Sequence, residues 1–262
     1  MVTPLLDKGW VKFPVDRSLD AWLSEAHSVA VERVKDPEQQ REWLQCEGTW
    51  FVGVDTLPND ASGTVGQAGP LCGKAYQVAR DLYGDLPLHA GQVSVMYPGY
   101  PKPRDGEAES AFRYRLKREA AHVDGLLAIG PERQRMLKEP HAYILGLPLT
   151  GCDASASPLV VWEGSHHIMR AAFEAHLSKC PVETWRDVDL TQIYQAARKE
   201  VFETCPRIEL PAKPGEATLL HRHVLHGVAA WKEGACAPPE GRMIVYFRPE
   251  FRGGAEEWVS AP

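Results

Sequence analysis

His122 and Asp124 stand two residues apart in the run Ala121-His122-Val123-Asp124-Gly125. In an extended chain, side chains two apart leave the same face, so this pair presents an imidazole and a carboxylate together. Neighbouring ligands of one ion need that placement, and Gly125 keeps the adjacent space open. A third ligand has to come from elsewhere, and the stretch from Gly215 to Phe247 offers His221, His223 and His226. Two imidazoles and one carboxylate on one face of an octahedral ion leave three positions free. That arrangement suits iron(II) binding a co-substrate and O2. The same donors also suit a hydrolytic zinc with an activated water, or a domain that binds metal or a small ligand without turnover.

If residues 216–226 form one strand, His226 shares a face with Leu220, Arg222 and Val224, while His221 and His223 lie on the other. Only one set can then line a site. Arg222 would meet either the pocket or a surface partner. His166 and His167 follow Trp162-Glu163-Gly164-Ser165, which reads as a turn ending a strand. Tyr97, Tyr143 and Thr150 are candidates for pocket lining or for ordinary core packing.

The elements that must position these residues are legible from periodicity. Residues 9–15 and 48–55 read as strands. Leu19, Trp22, Leu23, Ala26, Val29 and Ala30 mark a helix closed by Pro37. Leu71 to Leu82 mark a second helix with Gly84 as its C-terminal cap. From residue 91, Val93, Val95 and Tyr97 alternate with Gln92, Ser94 and Met96 as in a strand. Residues 100–119 are crowded with charge and read as a solvated loop or lid with one helical turn at most. Further strands are expected at 120–127, 141–149, 158–162, 207–210, 216–226 and 242–249, with a helical insertion at about 169–204. Strands grouped in this way do not make a doubly wound sheet; they suggest a jelly roll or sandwich.

The chain has 262 residues, 44% hydrophobic and 24% charged, with a formal net charge of −6. One globular domain over 1–262 is expected: an N-terminal support at 1–90 and a β core at 91–250. No basic footprint for nucleic acid is present. No run of 18 apolar residues marks a membrane span. The N-terminus lacks the pattern of a secretory signal. The six cysteines are scattered without a C-x-x-C pair, which fits reduced thiols and a cytoplasmic setting rather than a zinc knuckle. Oligomeric state is not readable.

Taken in order, the motifs resemble the phytanoyl-CoA dioxygenase-like branch of the Fe(II)/2-oxoglutarate oxygenases. They are H-x-D at 122–124, Gly164-Ser165-His166, a Gly215-Glu216 stretch running to His226, and Arg242 opening the next strand. The opening Gly9-Trp10-Val11 and its following helix are similar as well, so the likeness covers residues 9–250. It implies a double-stranded β-helix (jelly-roll, cupin-like) core with N-terminal helices and a helical insertion. It implies His122, Asp124 and His226 as ligands of Fe(II), and Arg242 as partner of the distal carboxylate of 2-oxoglutarate. A guanidinium's planar fork suits that last role; Arg248, of the same strand parity, is the alternative. The implied reaction consumes 2-oxoglutarate and O2, releases succinate and CO2, and oxidises a small-molecule substrate that the sequence does not name. An aspartate at 124 implies hydroxylation or a related oxidation rather than halogenation.

Overall fold

The computed structural model describes residues 2–262. Seven strands form the larger sheet: β1 (Trp10–Phe13), β2 (Leu44–Gln45), β3 (Trp50–Leu57), β4 (Gly91–Met96), β7 (Tyr143–Pro148), β10 (Ala217–His221) and β12 (Arg242–Phe247). Their order is β1-β10-β7-β12-β4-β3-β2, and every pairing is antiparallel. A smaller sheet has the order β11 (His226–Val228), β8 (Leu159–Trp162), β9 (Arg207–Leu210), and a hairpin joins β5 (Leu126–Ile129) to β6 (Gln134–Leu137). The two sheets face each other, giving the jelly-roll core that the strand pattern and the resemblance predict.

Strand β12 shows how the layers arise. Met243, Val245 and Phe247 point into the main core, which α2 (Asp20–Lys35) and α4 (Lys74–Tyr83) cover. There the Phe247 ring meets Trp22 edge-on at 5.9 Å. On the opposite face, Ile244 packs between the sheets with Ile144, Leu159, Val161 and Leu220. Period-two alternation thus builds two cores from one strand. Truncating fully buried Phe247 to alanine would cost roughly 3–5 kcal/mol.

The helix signals act locally as expected, with one exception. Gly84, at φ 81°, ends α4, and its N–H donates to Arg80 O. Pro37 does not merely close α2. It opens α3 (Pro37–Trp43), with the Asp36 carboxylate accepting from the N–H groups of Glu38 and Glu38's neighbour Gln39; a proline at the first helical position loses no needed donor.

Other expectations require correction. Residues 100–119 are more than a loop, since Glu109–Lys117 form α5. The insertion holds two helices, α6 (Ser165–Leu177) and α7 (Thr191–Thr204), and α6 begins where a turn is expected. Two terminal helices, α1 (Val2–Lys8) and α8 (Gly254–Ser260), carry no clear periodicity in the sequence. After an isolated bridge at Trp231, residues 232–240 are turns and coil.

The strand expected over 216–226 is two strands in different sheets. After β10, the Val224 N–H donates to His221 O at 2.9 Å and the His223 N–H donates to His221 Nδ1 at 3.0 Å. This turn hands the chain from the larger sheet to the smaller. Buried Arg222 holds it from outside, donating to the carbonyls of Trp258 (2.6 Å), Ala261 (2.5 Å) and Pro262 (2.8 Å).

Candidate metal centre

The segment carrying His122 and Asp124 is a short extended piece between kinks. Glu119 and Ala120 precede it at φ 51° and 53°, and Gly125 follows at φ 83°. The kinks aim the segment at β11, where His122 and His226 exchange both backbone hydrogen bonds (2.8 and 3.1 Å). A side chain at Gly227 would collide with the Glu119 carbonyl, and one at Gly125 with the Glu139 carbonyl. From the other side α7 braces the segment: Tyr194 Oη accepts from Val123 N (3.1 Å), and Arg198 donates to Ala121 O (2.8 Å). The helical insertion therefore has a task, to hold the H-x-D segment against the barrel.

The three side chains converge. One ligand atom from each of His122, Asp124 and His226 lies within 4.8 Å of the others. Asp124 Oδ1 is 3.0 Å from His122 Nε2 and 3.7 Å from His226 Nε2. Adjacent ligands of an octahedral ion with bonds of roughly 2.1 Å lie about 3 Å apart, so the set is nearly closed around one ion. The opposite nitrogens fix the tautomers. His122 Nδ1 is 2.9 Å from Ala120 O, and His226 Nδ1 is 3.0 Å from Val224 O. A carbonyl only accepts, so each Nδ1 carries the hydrogen and each Nε2 keeps its lone pair.

Electrostatics favour the same state. Burial pushes His226 down to about 4, aided by the neighbouring His122, so its ring is neutral at pH 7. Burial by itself would raise Asp124. The positive charge of Arg248 beside it overcomes this and holds the carboxyl well below its usual range. Arg248 Nη1 lies 3.4 Å from Oδ2, which leaves Oδ1 facing the histidines.

The centre joins two chambers. The inner one, about 210 Å³, runs between the sheets and is walled by Trp50, Val52, Ile144, Leu220 and Tyr246, with Gln92 and Ser94 as its neutral polar groups. The outer one, about 400 Å³, opens past α5 and α7. Both are lined by His122, Asp124 and Arg248.

Of the residues singled out from sequence, His122, Asp124 and His226 meet, whereas His221 and His223 lie elsewhere in the buried interior. Strand parity is not the reason, because no continuous strand links them. The turn at 221–224 separates them. Arg222 meets neither pocket nor surface but the C-terminal carbonyls. His166 sits on α6 facing α1, with Nε2 2.8 Å from Leu6 O. Tyr143 stacks on Tyr83 (5.6 Å), and neither it nor Tyr97 lines either chamber. Thr150 bridges the entry to β12, donating to Gly241 O and accepting from Met243 N, both at 2.8 Å. Between those residues, Arg242 is 4% exposed, makes no ion pair among the described residues, and leaves Nη1 without a partner. It lies on the inward face of β12 with Ile244 and Tyr246, beyond the lining of the inner chamber, whereas Arg248 is part of that lining. Trp50, Gln92 and Ser94 line the inner chamber, and no motif in the sequence marks them. The alternation along 92–96 gives the period of a strand but not which side faces water, and the face bearing Gln92 and Ser94 looks into the barrel.

No protein-family model and no curated protein matches this chain. Solved structures do. SnoK, a non-heme alpha ketoglutarate dependent carbocyclase from nogalamycin biosynthesis, aligns with TM-score 0.51 at 13% identity over 98% of this chain and 87% of that one. EctD from S. alaskensis, with 2-oxoglutarate and 5-hydroxyectoine, gives 0.49 at 16% identity, covering 99% and 81%. The epimerase SnoN, also from nogalamycin biosynthesis, gives 0.47 at 14% identity, covering 99% and 87%. At these identities the first of these likenesses shows a shared fold, and the fold alone.

Proposed function

We propose that this chain is a non-haem Fe(II)/2-oxoglutarate-dependent oxygenase that oxidises, and most simply hydroxylates, a small-molecule substrate. One observation carries the reading: two tautomer-fixed Nε2 atoms and one carboxylate oxygen converge at the junction of two chambers, on a fold shared with a non-heme alpha ketoglutarate dependent enzyme. The donor set fits Fe(II), with three positions left for other ligands. When bound, iron with 2-oxoglutarate and O2 supplies the oxidising power, releasing succinate and CO2.

The remaining work belongs to the chain. His122, Asp124 and His226 hold the metal, and Arg248 fixes which Asp124 oxygen faces it. Arg242 takes the distal carboxylate of 2-oxoglutarate. A buried guanidinium without a counter-charge is costly, and a ligand carboxylate would offset that. Arg248 lines the chamber and competes for this role, but its charge is already engaged by Asp124. The apolar wall around Trp50 and Ile144 keeps water from the reacting centre. The whole of 1–262 acts as one catalytic domain. Its six free cysteines suit a reducing cytoplasm, and no helix is long and apolar enough to cross a membrane.

Anaerobic titration tests the proposal. Fe(II) plus 2-oxoglutarate should give a visible charge-transfer band, and aerobic turnover should form succinate. Arg242→Gln should raise KM for 2-oxoglutarate about tenfold or more, as loss of a charge-assisted pair predicts. A larger effect from Arg248→Gln would move the anchor there. A protein that holds zinc tightly and never consumes 2-oxoglutarate would sink the oxygenase reading.

A further inference from the structure

The outer chamber is unusual in its charge. Six arginines line it, Arg104, Arg115, Arg118, Arg135, Arg198 and Arg248, against only two carboxylates, Asp124 and Glu139. Several of these charges are already engaged. Arg115 is paired with Glu107 (2.7 and 2.9 Å) and Arg248 with Asp124, while Glu139 lies 3.1 Å from His141 Nε2. Arg135 donates to Leu126 O.

Arg118 and Arg198 are different. Neither forms an ion pair among the described residues, and each has a buried Nε with no partner. Both are held by the same aromatic side chain, since their guanidiniums lie 4.1 and 5.5 Å from the Phe202 ring centre. Arg198 also lies over Tyr194 at 5.3 Å and is tethered to Ala121 O, one residue before the metal-binding histidine. Stacking fixes two like charges beside each other without neutralising either. In a half-buried chamber that arrangement is unfavourable unless an anion completes it.

We propose that the outer chamber binds the anionic group of the substrate, a phosphoryl or carboxylate group, through Arg118 and Arg198. The exposed Arg104, whose guanidinium lies 5.6 Å from the Trp50 ring, and Arg135 add to the field that draws it in. The remainder of the substrate extends past His122 toward the inner chamber. Calling the anion a substrate rests on the oxygenase proposal; the anion site itself does not.

The test therefore needs neither iron nor turnover. The whole protein is titrated calorimetrically with phenyl phosphate, benzoate and neutral benzamide, which share a ring and differ in charge. The two anions should bind and benzamide should not, with binding weakening as salt rises. Whichever anion is tighter identifies the group as phosphoryl or carboxylate. Arg118→Gln and Arg198→Gln should each weaken the tighter anion about tenfold or more, with Arg118→Lys losing less. Arg41→Gln, a surface change on α3 away from both chambers, should leave that affinity unchanged. Thermal melting confirms folding of each variant, and Arg118, whose side chain makes no hydrogen bond, serves as the safer of the two. Equal binding of benzamide, wild-type affinity in both Arg118→Gln and Arg198→Gln, or an equal loss in Arg41→Gln would overturn the proposal. Absence of 2-oxoglutarate consumption alongside intact anion binding would instead count against the oxygenase reading alone.

Discussion

His226 and His223 stand three residues apart and are both buried, at 7% and 0% exposure, yet their surroundings differ in every respect that matters. His226 meets a second imidazole, a carboxylate and open space. His223 lies edge-on to Trp258 (4.1 Å between ring centres) and Phe173 (5.7 Å), with both ring nitrogens lacking partners. Around it, His221 and His166 form a chain of rings at 5.2 and 4.9 Å, and His167 continues it at 3.9 Å. None of these four makes an ion pair with a carboxylate among the described residues, and the nearby Arg222 adds positive charge. Histidine density therefore does not mark a metal centre. A converging carboxylate, hydrogen-bonded Nδ1 atoms and a chamber do. One cluster converges on open space, and the other packs.

Substitutions can break that contrast, and the largest effect belongs to the binding cluster. Asp124→Ala and His226→Ala should reduce succinate formation to background and abolish the charge-transfer band, while the metal-free proteins still melt cooperatively. Next comes Arg222→Met in the packing cluster. It strands three C-terminal carbonyls and should cost roughly 3 kcal/mol in a denaturant titration, with KM for 2-oxoglutarate unchanged in the folded protein. If it instead abolished turnover without loss of stability, the division between clusters would fail.

Acid should act mainly through the packing cluster. Burial pushes His166 down to about 4 and lowers His221 and His223 well below their usual value, with His226 also at about 4. The unfolded chain takes up these protons below about 6.5, but the folded one resists until far lower pH. Their contribution is thus complete above about 6.5 and is lost as pH falls toward 4. The melting temperature of the metal-free protein should drop steadily between pH 7 and 5. The smallest effect is expected from His223→Phe, which swaps a ring with two unpaired nitrogens for an apolar one. It should change stability by about 1 kcal/mol or less, in the stabilising direction, flatten the acid-side slope and preserve turnover.

The same contrast explains what was legible in the sequence. Short-range signals such as H-x-D, Gly84 after a helix, and the alternation along β4 and β12 are set by neighbours in the chain, and they translate directly. The motif spacing selects the histidine that converges with His122 and Asp124, whereas strand parity presumes a strand that in the structure ends at His221. Its end is enforced by Arg222 reaching carbonyls some forty residues ahead, at Trp258, Ala261 and Pro262. No local pattern carries that information. The polar inward face of β4 was hidden for a related reason, because alternation gives the period of a strand but not which side faces water. The arginines of the outer chamber come from four separate segments, and only folding brings them together.

The paired backbone hydrogen bonds between His122 and His226 have a thermodynamic consequence. Both ligand-bearing segments are already fixed to each other, so metal entry need not order them, and little of the coordination energy is diverted into loop entropy. Deuterium exchange at these two amides should accordingly be slow in the metal-free protein and change little when metal is added. A centre of this kind loads like a rigid chelator rather than folding around its ion.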